Sequence, residues 1–463
     1  MKKYSIAILA FALIITSCKK QLDQNSPDSV SEANAFQTLE HVQFGLNGAY
    51  ARYSTYSTDM YKSALVSDEA KIGFDNAGQG ALEYRYQYSS DDVTGGDVTA
   101  GYFGYYNMID QINRVLPHVY KVDAPASAAA RRDVINAQLI ALRGIAHFAL
   151  LKNFSKNYDP AEKLGIAIMT VSDAGAKPAR NTMAESIQQI ETDLSTAKAA
   201  LPAVTPATFT DTVMNKVNIA AYQARIALYK RDYAAAITFA TEVINSNVKA
   251  LASGGDFKGI WTDENKSEIL FRIRYGTSSG IGSMWTTTGG NVYIAPSDKL
   301  IETYSNNDIR KEAYIGTTGD KNYVNKFYNS SRGGRVVDLK AVRIAEMYLI
   351  RAEAYAKKEA PDLVKGAADL NELRRARITG YVNETFNSSG DLVKAVLEER
   401  FKELAFEGFR IFDLKRNNLP VERAATDAEP GWRTLPADSY RFTFPIPKQE
   451  MNVNPNMVQN PGY

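Results

Sequence analysis

Gly276-Thr277-Ser278-Ser279-Gly280 satisfies the G-x-S-x-G pattern of a nucleophile elbow and follows a segment that reads as a strand. The chemistry served by that pattern is attack by an activated serine. It needs a helix directly after the turn, with an acid and then a histidine downstream. Here Gly, Trp and Thr residues follow, and all three histidines, His41, His118 and His147, precede Ser278. Serine catalysis is therefore rejected. Dispersed histidines without H-E-x-x-H spacing, and no free thiol, give no zinc-site pattern. Ser195-Thr196-Ala197-Lys198 matches S-x-x-K only as the solvated face of an amphipathic helix. Neither G-x-G-x-x-G nor a P-loop occurs, and the adjacent acids Asp91-Asp92 and Glu398-Glu399 do not define a pair across a cleft. The residues predict no enzyme activity, no metal and no cofactor.

Cysteine chemistry is present once. Lys2 and Lys3, an apolar run over 6–15 too short to span a bilayer, and Ile15-Thr16-Ser17-Cys18 resemble a bacterial lipoprotein signal and its lipobox. They predict a signal peptide over 1–17, lipid on Cys18 and a polar tether over 18–30. A single acyl chain holds marginally, at about 0.8 kcal/mol per buried CH₂, whereas several chains hold stably. The expectation is a protein anchored to a membrane without spanning it. Cys18 is the sole cysteine, so no disulfide can contribute to the fold.

Loss of Lys2 and Lys3 with the leader makes the 54 basic residues two fewer, equal to the 52 acidic ones. A neutral chain without basic blocks carries no electrostatic footprint for nucleic acid. With 45% hydrophobic residues in 463, it can bury a large core. Its 27 tyrosines either pack amphipathically or stack on ligands.

The elements that would position such side chains are mostly helical. Apolar periodicity predicts helices over 31–46, 105–116, 131–154 and 183–201, the second stopped by Pro117 and the last by Pro202. Residues 217–229 and 233–244, joined by Lys230-Arg231-Asp232, set small against large side chains as a tetratricopeptide hairpin does. A similar hairpin is expected over 336–358 and 363–377. Two stretches differ: about 75–104, where glycines and the alternating Tyr84, Tyr86 and Tyr88 suggest loop and short strand, and about 251–335, rich in Gly, Ser, Thr and Asn with β-like runs at 268–273 and 292–294. Residues 398–416 interleave charge with Phe401, Phe406, Phe409 and Phe412. They read as a partly buried Arg/Glu network fixing a helix to the scaffold, the alternative being an anion or substrate site. The tail over 419–463 is proline-punctuated and irregular.

Several of these pieces in order resemble the SusD/RagB family of outer-membrane nutrient-binding lipoproteins. They are the lipobox cysteine, Asn113-Arg114-Val115, the run 141–148, Asn306-Asn307-Asp308-Ile309-Arg310, the run 343–354, the 399–416 segment and the ending from Phe444-Pro445-Ile446-Pro447 to Asn460-Pro461-Gly462-Tyr463. The resemblance implies a mainly α fold: a tetratricopeptide-like hairpin scaffold over 31–463 with a loop-rich, partly β ligand-binding lobe. It also implies no catalysis, a SusC-type TonB-dependent transporter as partner, an oligosaccharide or in some members a peptide as ligand, and a lipid-anchored place on the outer membrane facing the exterior. A repeat scaffold for envelope proteins is the rival reading. Sugars offer apolar C–H faces beside hydroxyls, so flat aromatics with polar neighbours are the expected site. That selects Tyr84, Tyr86, Tyr88 and Tyr102 from one insertion and Trp285, Asn291 and Tyr293 from the other, with Trp285 expected to be an exposed loop residue.

Overall fold

Helices form wherever the 3.6-residue apolar period meets a cap. The computed structural model describes residues 35–91, 96–276, 280–287 and 289–463; the leader, the tether with Cys18, and Ser278 lie outside the described residues. Helix α1 (Leu39–Arg52) starts at Thr38, whose hydroxyl accepts from the His41 amide, and is followed by α2 (Tyr56–Val66). Helix α3 (Gly96–Val115) runs into a single 3₁₀ turn holding Pro117. Next come α4 (Ala129–Phe154) and α5 (Met183–Ala200), the latter opened by a reciprocal Thr182/Glu185 capping box. Helix α4 is long and apolar enough to cross a membrane by composition, but packs on α3 and α5 with Leu139, Leu142, Ile145 and Leu150 fully buried. It is the core helix of the scaffold.

Helices α6 (Lys216–Tyr229) and α7 (Tyr233–Asn245) form the expected hairpin. Arg231 makes the turn at φ 64°, and the Asp232 carboxylate accepts from the Ala235 amide at 3.0 Å to start α7. Helices α8 (Ile344–Lys357) and α9 (Leu363–Arg377) form the second hairpin. Since α7 packs on α8 as well as on α6, the hairpins stack, the arrangement expected of tetratricopeptide-like repeats. Helix α10 (Ser389–Glu403) joins α8 and α9 around a smaller apolar core containing Leu349, Leu370, Leu373, Leu392 and Val396. Helix α11 (Arg410–Arg416) precedes the tail, which holds short turns and a two-residue strand pair. The protein is mainly α.

The strands are short antiparallel pairs. β1 (Ala70–Ile72) pairs with β3 (Ile294–Pro296), β2 (Ile269–Ile273) with β6 (Leu339–Arg343), and β4 (Ile315–Thr318) with β5 (Lys321–Val324). Some expectations change. Residues 336–343 are not the first part of a helix: Leu339–Arg343 is strand β6, because β2 lies alongside it and pairs with its main chain in an antiparallel, locally irregular register. The 75–104 stretch is also less loop-like than its glycines suggest, since a turn of helix occupies Ala81–Tyr84 and α3 begins at Gly96. Tyr84, Tyr86 and Tyr88 do not alternate along a strand, because Tyr86 sits at φ 59° and breaks any extended run.

The dense charge at the chain's end is buried. Glu403 accepts from three arginines: Arg343 at 2.8 Å, Arg377 at 2.9 and 3.0 Å, and Arg310 at 3.1 Å. Arg343 also reaches Glu407 at 2.7 and 2.9 Å and Glu268 at 3.0 Å, and Arg377 reaches Glu268 at 2.7 Å. Arg310 and Arg374 hold Glu399 at 2.6 and 2.7 Å, and Lys326 holds Glu407 at 2.6 Å. Burial alone would raise these carboxyls. The facing guanidinium groups outweigh it, led by Arg310 for Glu399, which falls to about 2, and by Arg377 for Glu403, which also falls below the ordinary range. Glu69 is the opposite case: burial, helped by nearby Asp68, pushes it up to about 8, against the Phe406 amide at 3.1 Å and the weaker pull of Arg410 and Lys326.

Lowered carboxyls stabilise the fold above the ordinary glutamate range, and that stability is lost as pH falls from about 4.5 toward 2. The raised Glu69 acts the other way, its contribution being lost as pH rises from 4.5 to about 8. Thermal melts across pH are expected to show an acid limb below about pH 4.5 and a shallower decline from there to about pH 8, with Glu69→Gln removing the decline only. Glu403→Gln is expected to cost about 3–5 kcal/mol near neutral pH, because it leaves buried arginines short of an acceptor charge. A melt unchanged by Glu403→Gln would show that the network is not a unit.

Candidate ligand-binding surface

The two insertions meet through main chain. β1 and β3 run antiparallel, with Ala70 opposite Pro296 and Ile72 opposite Ile294. Pairing continues past the strands: the Gly73 amide donates to Tyr293 O at 2.8 Å and the Asp75 amide to Val292 O at 3.0 Å. Glycine is required at 73, since a Cβ there would lie 2.2 Å from Val292 O. The Asp75 carboxylate accepts from the Val292 amide at 2.8 Å and from Lys321 Nζ at 3.0 and 3.2 Å. These bonds, the main-chain one first, hold it below the ordinary carboxylate range. Asn76 Nδ2 donates to Tyr293 O at 2.9 Å and to Gln79 O at 2.8 Å, and its oxygen accepts from the Gly78 amide at 2.7 Å. On the other side the Thr287 amide donates to Asn291 O at 2.9 Å, and Thr286 bridges Val292.

From this frame Phe74 projects with 82% of its surface exposed. Lys321, delivered by β5, lies 4.4 Å from the centre of the Phe74 ring. Exposed Asn291 and Gln79 and half-buried Tyr293 complete the neighbourhood. A large exposed ring fixed between paired strands is unusual in core terms and matches a stacking platform, with amides and a charged pair supplying directional bonds. Sequence reasoning missed Phe74 and Lys321. The signal was a lone phenylalanine inside the otherwise polar and glycine-rich run 73–80.

The residues chosen from sequence divide. Asn291 and Tyr293 lie on this surface. Trp285 does not: it is 1% exposed, stacked on Phe327 at 6.0 Å and edge-on to Phe406 at 5.5 Å and Tyr61 at 5.8 Å. The expectation of an exposed Trp285 is corrected, because aromatic partners far away in sequence enclose the indole. Its carbonyl accepts from the Tyr293 amide at 2.9 Å, so it supports the surface from beneath. Tyr84 and Tyr86 are buried against the Arg423 guanidinium, 3.8 and 4.6 Å from their ring centres. Tyr88 is buried against Phe444 and Tyr463. These three are packing residues for the tail and do not form a platform. Tyr102 is buried against Phe154, and with Tyr106, its ring 4.7 Å away, forms the wall of a separate cleft of about 250 Å³ between α3 and the 167–178 segment. Among the described residues no group of three or more His, Cys, Asp or Glu side chains could hold a metal.

With this geometry in view, a model of the SusD family matches residues 321–463, and a model described as "Starch-binding associating with outer membrane" matches residues 20–228. The chain is similar over the full length of both sequences to SusD-like protein P2 of Formosa agariphila, at 26% identity. It is 31% identical to the starch-binding protein SusD of Bacteroides thetaiotaomicron over 166 residues, 34% of this chain and 28% of that one. In fold it is similar to a SusD superfamily protein from Bacteroides thetaiotaomicron VPI-5482, with a TM-score of 0.80 at 24% identity, over 92% of this chain and all of that one.

Trp285→Ala is expected to destabilise the protein by about 3–5 kcal/mol, the range for emptying a buried aromatic site. Denaturant unfolding measures it. A loss under about 1 kcal/mol would return Trp285 to the exposed class.

Proposed function

Because the chain belongs to the SusD/RagB family, we propose that it is a non-enzymatic binding protein of the outer membrane that holds a glycan on the Phe74 surface. The carrying observation is the 82% exposed Phe74 ring set among Asp75, Asn76, Asn291 and Lys321 on paired strands. A pyranose presents one apolar face and a rim of hydroxyls. Phe74 offers the complementary flat face, and the amides and the Asp75–Lys321 pair offer donors and acceptors at its edge. The starch-binding relative and the outer-membrane description of the family model support a glycan over a peptide. Nothing in the surface activates water or a nucleophile, so binding without turnover is the role assigned to it.

The proposal extends to the cell context. Lipid on Cys18 anchors the protein, the Phe74 surface faces outward, and a SusC-type TonB-dependent transporter receives the glycan. Neutral charge suits a broad mixed interface with such a partner in place of long-range steering.

Phe74→Ala is expected to lower retention on immobilised starch-type or other glycans at least tenfold, with little change in melting temperature because the ring is exposed. Full retention by the variant would move the site elsewhere. Cys18→Ala is expected to release the protein from membranes prepared without the transporter. Mild-detergent purification of the unmutated protein is expected to recover a large TonB-dependent barrel. Recovery of envelope assembly factors alone would favour the repeat-scaffold role.

A further inference from the structure

We propose that a recess of about 310 Å³, between the end of α4, the α6–α7 turn and the end of α11, is a second binding site that takes a small monocarboxylate through Lys415 and Arg231. It is built on the helical scaffold and shares no lining residue with the Phe74 surface.

Its cations differ in how they are matched. Arg416 is held by Glu353 at 2.5 and 2.6 Å, and Lys230 by Glu191 at 2.7 Å. Lys415 has no such partner among the described residues. Its ammonium donates to the Ser155 carbonyl and, at 3.3 Å, to that of Lys152, leaving one of three donors. Arg231 likewise pairs with no carboxylate among the described residues, one Nη donating to Arg416 O at 3.1 Å and the rest of the fork remaining. Arg231 also occupies a turn position at φ 64°, where glycine or asparagine would sit with less strain. Asn157 adds an amide NH₂, its oxygen being taken by the Asp159 amide at 3.0 Å.

The class of ligand follows from charge and shape. Two unmatched cations attract an anion, and a carboxylate can bridge an ammonium and a guanidinium fork. Asp159, the acid lining the recess, weighs against a dianion such as phosphate. Tyr158 and Tyr229, rings 5.1 Å apart, give the recess an aromatic wall suited to a compact organic body such as an acidic monosaccharide.

Burial first, and then Lys152, push Lys415 down to about 7. The other charged or titratable groups around it are Tyr229, Lys230 and Arg231 from the hairpin, Tyr158 and Asp159 from the loop after α4, and Asp413 and Arg416 from its own helix. An anion placed against it raises its proton affinity, so binding near pH 8 takes up a proton.

The test is calorimetric titration of the detergent-solubilised full chain with D-glucuronate, D-glucose and inorganic phosphate, each in two buffers of different ionisation enthalpy. Saturable binding of glucuronate but not glucose, with proton uptake at pH 8, is expected. Arg231→Gly, which suits the turn and preserves the fold, is expected to weaken binding at least tenfold, Lys415→Met to abolish proton uptake, and Phe74→Ala to change neither. No saturable glucuronate binding, equal binding of glucose, tighter binding of phosphate, an unaffected Arg231→Gly variant, or loss in Phe74→Ala would each overturn the assignment.

Discussion

Glu268, Glu399, Glu403 and Glu407 share a water-excluded volume with Arg310, Arg343, Arg374, Arg377 and Lys326, and every one of these charges comes from a different stretch of chain or a different turn of helix. Each side chain is acceptable in the interior only while its partners are present, because an ion left alone there faces a desolvation cost of several kcal/mol. The segments carrying them, the β2–β6 pair with Glu268 at its start, the short helix Ile309–Tyr314, the turn Asn325–Phe327, α9, α10 and the 404–409 connector, must therefore arrive in one relative placement. Apolar cores tolerate sliding and repacking; a set of forked arginines facing fixed carboxylates does not. The network thus chooses among packings that hydrophobic burial alone would leave close in energy.

The binding surface inherits this placement. Phe406, in the connector between α10 and α11, holds a left-handed conformation at φ 65° and presses its ring against Trp285, while its amide reaches Glu69 immediately before β1. Trp285 in turn supports Tyr293 and the start of β3 through its carbonyl, which accepts from the amides of Tyr293 and Ile294. A continuous set of contacts runs from buried ions through one strained aromatic residue to the paired strands under Phe74. Rigid presentation matters to a shallow site, because each contact to a sugar is weak and ordering a loose loop would consume most of the gain.

Much of the scaffold was legible in sequence. Helices α4 to α9 follow the apolar period, and four of them, α5, α6, α7 and α9, start at Thr182, Asn215, Asp232 and Asp362, where a side chain satisfies one of the first amides. The buried Arg/Glu reading of 398–416 was also available, since alternating charge and phenylalanine cannot all face water. The site was less legible. Trp285 stands among Gly and Thr and resembles a loop residue, yet its enclosure comes from Tyr61, Phe327 and Phe406, contacts that no local window contains. The tyrosines at 84, 86 and 88 have strand spacing, but a left-handed residue in the middle cancels the alternation. Phe74 gave almost no signal, because a single exposed ring has no periodicity to detect.

The pairing of β1 with β3 joins residues more than two hundred positions apart, and the salt bridge from Asp75 to Lys321 spans more. Closing so long a loop is slow compared with forming local helical hairpins, so the scaffold can assemble while the recognition surface does not yet exist. A chain that has formed α1 to α7 but not β3 holds Phe74 beside an unpaired β1, and one that has β3 but not Lys321 lacks the ion pair at the edge of the ring. Recognition at Phe74 therefore waits on pairings that no local helical hairpin supplies.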